Sequence, residues 1–179
     1  MARPLRKLKT LRRVHVDGAI YFVTASTRRR QPILVNAAAD AILLAFARLR
    51  DEQRARVLAF VVMPDHVHAL LQPPDDVTIG EVLKYFKRIS ATSIRRLGRT
   101  GRLWEARFYD RVMRDEQELG NAVRYIHENP VKANLCGEPF DWLWSTANRS
   151  VHSDLKRVLT EWNGPPNPHT GWTPADVEL

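Results

Sequence analysis

The stretch Val57-Leu58-Ala59-Phe60-Val61-Val62-Met63-Pro64-Asp65-His66-Val67-His68 decides how this chain is read. Its first seven residues form a near-continuous apolar run, as expected of a central strand buried on both faces. Pro64-Asp65 then makes a tight turn, and a second strand, His66 to Gln72, returns beside the first. Alternate strand residues share a face, so His66 and His68 point one way while Val67 points into the other layer. Two imidazoles on one side can hold one metal ion, although a His-x-His spacing alone also fits two packed strand histidines. The setting, directly after a buried strand and a turn, puts at least one imidazole within reach of solvent.

Working outward, Ile20-Tyr21-Phe22-Val23-Thr24-Ala25-Ser26-Thr27 is rich in aromatic and β-branched residues and reads as a first strand. Asn36 is the expected N-cap of a helix from Ala37 to Arg50, with Ile42, Leu43, Phe46 and Leu49 at helical spacing. After the Pro73-Pro74-Asp75-Asp76 loop, Thr78 caps a second helix that runs to about Leu97. Trp104 to Met113 reads as a further strand, and Asp115 with Glu118 forms the Asp-x-x-Glu pattern of a capping box. The helix so opened carries Leu119, Ala122, Val123 and Ile126 as its apolar stripe. Pro130 lacks a donor and is expected to end it near Asn129. The order strand, helix, strand, strand, helix, strand, helix implies an α+β sandwich around an antiparallel sheet. From about Ser153 onward prolines and polar residues dominate, which reads as a tail, so the domain spans about residues 14–150 between a basic arm (1–13) and a C-terminal segment (151–179).

The chain has 179 residues, a formal charge of +8 and a pI near 10.1, which make a polyanion, nucleic acid first, the expected partner. Six Lys or Arg fall in the first thirteen residues with no acid and no following apolar run, a basic arm rather than a signal peptide. No stretch suits a membrane span, and the single Cys136 excludes an intramolecular disulfide; a cytoplasmic, nucleoid-associated protein is expected. On the second helix Lys84, Lys87, Arg88 and Arg95 share one arc opposite Val82, Phe86, Ile89, Ser93 and Leu97. Arg102 and Arg107 continue the basic run among Trp104, Phe108 and Tyr109, a pattern suited to phosphates and unpaired bases. A solvated charged face is the ordinary alternative.

On the third helix Tyr125 and Asn129 lie one turn apart on the flank of the apolar stripe, whereas His127 projects away. Two His nitrogens and the Asn129 amide oxygen would leave open positions on a divalent cation, as at a catalytic metal site. A phenol beside such an ion can attack a phosphodiester and exchange one phosphate ester for another. His15, His127 and His152 lack a partner at ligand spacing and are assigned surface or packing roles.

Five motifs in order carry a family resemblance over about residues 13 to 150: Gly18 to Thr27, Val61 to His68, Trp104-Glu105-Ala106-Arg107-Phe108-Tyr109, Tyr125-Ile126-His127-Glu128-Asn129-Pro130-Val131-Lys132, and Asp141-Trp142-Leu143-Trp144-Ser145-Thr146. They resemble the single-tyrosine transposases of the insertion-sequence-200 type, and more closely their REP-associated relatives in bacteria. The resemblance implies a ferredoxin-like (RRM-like) palm of the HUH endonuclease type and a Mg²⁺ or Mn²⁺ ion on His66, His68 and Asn129. It further implies Tyr125 as nucleophile, a 5′-phosphotyrosine intermediate, and single-stranded DNA with REP-like hairpins as substrate. A monomer is favoured over a homodimer. Asn134 stands where relatives often have Gly; Asn tolerates a left-handed backbone, so the turn after Pro130 is expected to survive. Two rivals remain open: an RRM-like nucleic-acid-binding module without activity, and a metal-dependent hydrolase that uses water and does not need Tyr125.

Overall fold

The computed structural model describes residues 16–161, so the basic arm, His15 and the segment after 161 lie outside the described residues. Strand β1 (Tyr21–Ser26) is followed by α1 (Ala37–Asp51), β2 (Arg56–Met63), β3 (His66–Gln72), α2 (Ile79–Arg96), β4 (Tyr109–Val112), α3 (Glu116–Lys132) and α4 (Leu155–Glu161). The four strands form one antiparallel sheet in the order β2-β3-β1-β4, the ferredoxin-like arrangement that the family resemblance implied.

Strand alternation sorts the core into two layers. Tyr21, Val23, Ala25, Val67, Ala69 and Leu71 pack against α1 and α2, where Phe46 stacks on Phe60 at 4.2 Å and approaches Phe86 at 4.6 Å between ring centroids. The opposite face carries Ile20, Leu58, Val61, Met63 and Leu70, covered by Leu119, Val123 and Ile126 of α3 and by Leu155 and Val158 of α4. His66 and His68 alternate with Val67 and Ala69, so the imidazoles emerge on the α3 face.

Several expectations need correction. β2 is buried on both faces yet lies at the end of the sheet, because helices cover each side; its outer edge pairs with residues 144–146, through Val62 N–H to the Trp144 carbonyl and Thr146 N–H to the Phe60 carbonyl. Asn36 stands before α1 with φ 49° and makes no side-chain cap, whereas Thr78 and Glu81 complete a full capping box. Asp115 accepts from Glu118 N–H, but the Glu118 carboxylate reaches Arg114 N–H instead of closing the box. In the second helix Leu97 is exposed, and the apolar face runs through Leu83, Ser90 and Ile94. Only Tyr109–Val112 of the Trp104–Met113 segment forms a strand; Trp104 makes an isolated bridge to Thr27 and donates its indole N–H to the buried Ser90 hydroxyl.

Pro130 does not end α3. The helix continues to Lys132 with the proline ring buried, and that burial offsets the one backbone bond a proline cannot make. It stops at Asn134, whose φ of 55° is the left-handed turn that Asn tolerates. Residues 151–161, read as the start of a tail, belong to the core: Asp154 accepts Val57 N–H through its carboxylate, and α4 packs on β2.

Candidate active site

β1 and β3 set the histidines. In the antiparallel register Thr24 lies opposite His68 and Ser26 opposite His66. The Thr24 hydroxyl meets His68 Nδ1 at 2.8 Å, and the Asp65 carboxylate meets His66 Nδ1 at 2.5 Å. A carboxylate beside Nδ1 requires N–H there, so when the ring is neutral Nε2 is the nitrogen of His66 left to a ligand. The Thr24 hydroxyl can accept from or donate to His68 Nδ1: where it donates, an Nε2–H lies between the two Nε2 atoms, 3.0 Å apart, and where it accepts, both Nε2 lone pairs face one point. A cation can take the place of that proton. Two nitrogens about 2.1 Å from one ion and at right angles stand about 3.0 Å apart, so the spacing fits a shared metal.

Burial, with the neighbouring His66 and Arg30 adding to it, pushes the His68 imidazole down to about 3, so the ring stays neutral. For Asp65, burial would raise the carboxyl, but the hydrogen bond and charge of His66, joined by Arg30 at 3.3 Å, hold it below its ordinary value. The buried Thr27 fixes the turn from behind, donating both its backbone N–H and its hydroxyl to the Asp65 carbonyl at 2.9 Å.

α3 brings Tyr125 to this pair. Its Oη lies 3.5 Å from His68 Nε2 and the two rings meet edge-on at 5.2 Å, while Phe22 packs against both, stacked on His68 at 5.3 Å and edge-on to Tyr125 at 5.9 Å. Tyr125 is 43% exposed, whereas His68 is buried. Lys132, two turns on, places its ammonium 5.9 Å from the Tyr125 ring. Asn129 follows Tyr125 by one turn, half-buried, with no hydrogen-bond partner for its carboxamide among the described residues. No group of three or more His, Cys, Asp or Glu gathers among the described residues, so oxygen donors to an ion on the imidazoles would come from a carboxamide, water or phosphate. His127 turns away to Thr146 at 3.0 Å, its pKa lowered by burial, and His152 pairs with Asp154 at the surface.

The basic residues are not gathered at this site. Lys84, Arg88 and Arg95 are exposed on α2, on the other side of the sheet from the imidazoles, with Arg88 resting 4.9 Å over the Tyr85 ring. Arg102 and Arg107 are exposed in the loop before β4. Lys87, read as one of the phosphate-facing cations, is instead engaged within the fold: its ammonium donates to the Glu105 and Arg107 carbonyls at 2.9 and 3.0 Å. No helix among the described residues is long and apolar enough to cross a membrane.

A family model described as "Transposase IS200 like" matches residues 15–129. The chain belongs to this family. Transposases are DNA strand transferases, so the Tyr125–histidine cluster is a candidate active site for an enzyme of that class. The chain is 25% identical over 171 residues to a putative REP-associated tyrosine transposase of Haemophilus influenzae, covering 89% of this chain and 96% of that one. It is 26% identical over 158 residues to the REP-associated tyrosine transposase of Escherichia coli, covering 86% and 90%. In shape it is similar to a solved REP-associated tyrosine transposase bound to a REP hairpin, with TM-score 0.69, 24% identity and coverage of 91% and 96%. That likeness speaks to the fold.

The residues that sequence reasoning passed over are Thr24, Asp65, Phe22 and Arg30, the layer behind the imidazoles. Asp65 carried a signal, adjacent to His66 in the turn. Thr24 carried none, since its pairing with His68 is a matter of cross-strand register.

Proposed function

We propose that this IS200-like transposase cleaves and rejoins single-stranded DNA beside hairpin, REP-like sequences through a covalent 5′-phosphotyrosine on Tyr125. The observation that carries the reading is the convergence of the Tyr125 hydroxyl and His66 Nε2 on His68 Nε2, at 3.5 and 3.0 Å, on the open side of one chain. The named activity of the Escherichia coli relative and the hairpin bound by the structural neighbour point to the same substrate class.

His66 and His68 would hold a Mg²⁺ or Mn²⁺ ion, with Asn129 able to offer an amide oxygen. Such an ion supplies Lewis-acid polarisation of the scissile phosphate. With such an ion bound, Asp65 and Thr24 would accept from Nδ1 of the two imidazoles and so hold the metal-ready tautomer, and Phe22 sets the His68 and Tyr125 rings. Tyr125 Oη attacks phosphorus; the Oη–P bond forms as the P–O3′ bond breaks, the phenolic proton leaves to solvent, and the 3′ oxygen takes up a proton. The ester energy stays in the phosphotyrosine, so a 3′-hydroxyl can reverse the step and join a different strand without a nucleoside triphosphate. Both imidazoles and the phenol come from one chain, so a monomer suffices. Lys84, Arg88, Arg95, Arg102 and Arg107 contact backbone phosphates away from the reacting centre, each contact adding about −0.7 to the salt slope for a single strand.

The test mixes the protein with 3′-labelled single-stranded DNA from hairpin repeats flanking its gene, with Mg²⁺ or Mn²⁺, and looks for label moving with protein on a denaturing gel. An adduct lost in Tyr125→Phe and with chelator is expected. Salt-sensitive binding with no adduct would favour the inactive binding module. Free labelled fragments from both proteins would favour a hydrolase.

A further inference from the structure

From Tyr125 a groove of about 540 Å³ runs between β4 and α3, within the range of small-molecule clefts and open to solvent. One wall is aromatic: Tyr109 is 56% exposed and edge-on to Phe22 at 6.5 Å, and Phe22 in turn meets Tyr125. The other wall is a ridge of α3 at i, i+4 spacing, Gln117, Asn121 and Tyr125, which covers about 12 Å of helix. The carboxamides of Gln117 and Asn121 are exposed and have no hydrogen-bond partner among the described residues.

Charge decides what such a groove takes. Its lining holds Arg111 and Arg114 against Asp115 and Glu118, a formal sum of zero. Arg111 is ion-paired with Glu118, Asp115 accepts Glu118 N–H, and Glu118 accepts Arg114 N–H. A phosphate would meet two carboxylates, an Arg111 already paired, and the exposed Arg114 guanidinium as the one remaining favourable charge of the lining, so the groove is poor for phosphate. A flat, neutral, aromatic ligand with donors and acceptors on its edge suits it better, because aromatic faces stack bases and carboxamides pair with base edges.

We propose that this groove is a nucleobase subsite: it takes an unpaired base of the substrate strand next to the phosphate that Tyr125 attacks, stacks it on Tyr109 and reads its edge with Asn121 and Gln117. The proposal rests on the transesterification reading for the position of the scissile phosphate. A base still paired in a duplex hides its edge, so the subsite also selects for unpaired strand beside the hairpin.

The experiment measures fluorescence anisotropy of labelled single-stranded oligonucleotides from the hairpin flank, each lacking one base, with the Tyr125→Phe protein so that binding is read without cleavage. The expected profile has one position, or two neighbours, where loss of the base weakens binding about tenfold or more. Adding Tyr109→Ala abolishes that penalty. Adding Asn121→Ala instead keeps the penalty and flattens the preference among the four bases there. Circular dichroism and Tm of each variant establish that it is folded. A flat profile, or one that neither variant changes, overturns the subsite. Adduct formation, scored in parallel with Tyr125 intact, separates the two readings. An adduct with a profile insensitive to Tyr109 leaves the transesterification standing and removes the subsite. A Tyr109-dependent profile with no adduct does the reverse.

Discussion

Replacing Thr24 by valine keeps the shape of the side chain and removes one atom's chemistry, the hydroxyl 2.8 Å from His68 Nδ1. For a metal to lie between the Nε2 atoms, 3.0 Å apart, that hydroxyl must accept the Nδ1 proton so that His68 Nε2 is left as a lone pair. In Thr24→Val the Nδ1 proton that metal binding requires has no acceptor in a buried setting, so the tautomer with the proton on Nε2, which can donate to His66, is favoured. A metal must then displace that proton and restore the disfavoured tautomer. Loss of such a supporting hydrogen bond typically weakens metal affinity ten- to a hundredfold, or about 1.4–2.7 kcal/mol. Titration of Mn²⁺ by calorimetry measures it directly, and Thr24→Ser, which keeps the hydroxyl, is expected to bind within a few-fold of the unaltered protein. Hairpin-DNA binding in the Tyr125→Phe background stays unchanged in both, since Thr24 reaches no DNA. A folded Thr24→Val protein with undiminished Mn²⁺ affinity would refute the argument that Nδ1 partners set the metal site.

Three further outcomes follow from the same geometry. Lys87→Met removes two charge-assisted bonds to the Glu105 and Arg107 carbonyls and is expected to lower urea-unfolding stability by about 1–2 kcal/mol while leaving the salt dependence of DNA binding unchanged; Lys84→Ala, at an exposed position on the same helix, should reduce the salt slope by about 0.7 with no loss of stability. Metal-free protein should lose stability in acid. The folded His68 pKa, about 3, lies below its unfolded value, so between about pH 6.5 and pH 3 the unfolded chain binds a proton the folded one refuses; stability is complete above that window and falls through it by up to about 1.4 kcal/mol per pH unit, a slope that His68→Asn should reduce in urea titrations at about pH 7 and 4.5. Ile126→Ala, at a fully buried position under Tyr125's helix, should cost about 2–5 kcal/mol in the same unfolding assay.

How much of this was legible in the chain depended on whether the signal was local. Alternation in His66-Val67-His68 placed both imidazoles on one face, and the stripe Leu119, Val123, Ile126 oriented α3, because both periodicities are properties of one element. Thr78 announced its helix by the same local logic. Three features lay beyond it. The Thr24–His68 pair depends on which strands are neighbours and in what register, information spread over residues 44 apart. Pro130 misled because its local cost is offset by burial that only tertiary packing provides. Lys87 looked like its basic neighbours until a returning loop presented two carbonyls to it, and residues 151–161 looked like a tail because a seven-residue helix carries too few apolar positions to show a period.

The division of labour between the two sides of the site follows from burial. His68 sits on a strand with neighbours on both sides, its ring stacked on Phe22 and its Nδ1 tied, so the ring is set before any substrate arrives. Tyr125 stands on a surface helix with nearly half of its area exposed, beside a groove open along its length. A hydrolase gains by closing over its nucleophile and leaving group, whereas a strand transferase working by the proposed phosphotyrosine route would have to release one 3′-end and admit another while the adduct persists. An open Tyr125 opposite a rigid imidazole pair suits that requirement. The proposed subsite would then tie reversibility to the same place: a strand held by its base next to Tyr125 would stay in register while the free 3′-hydroxyl is exchanged.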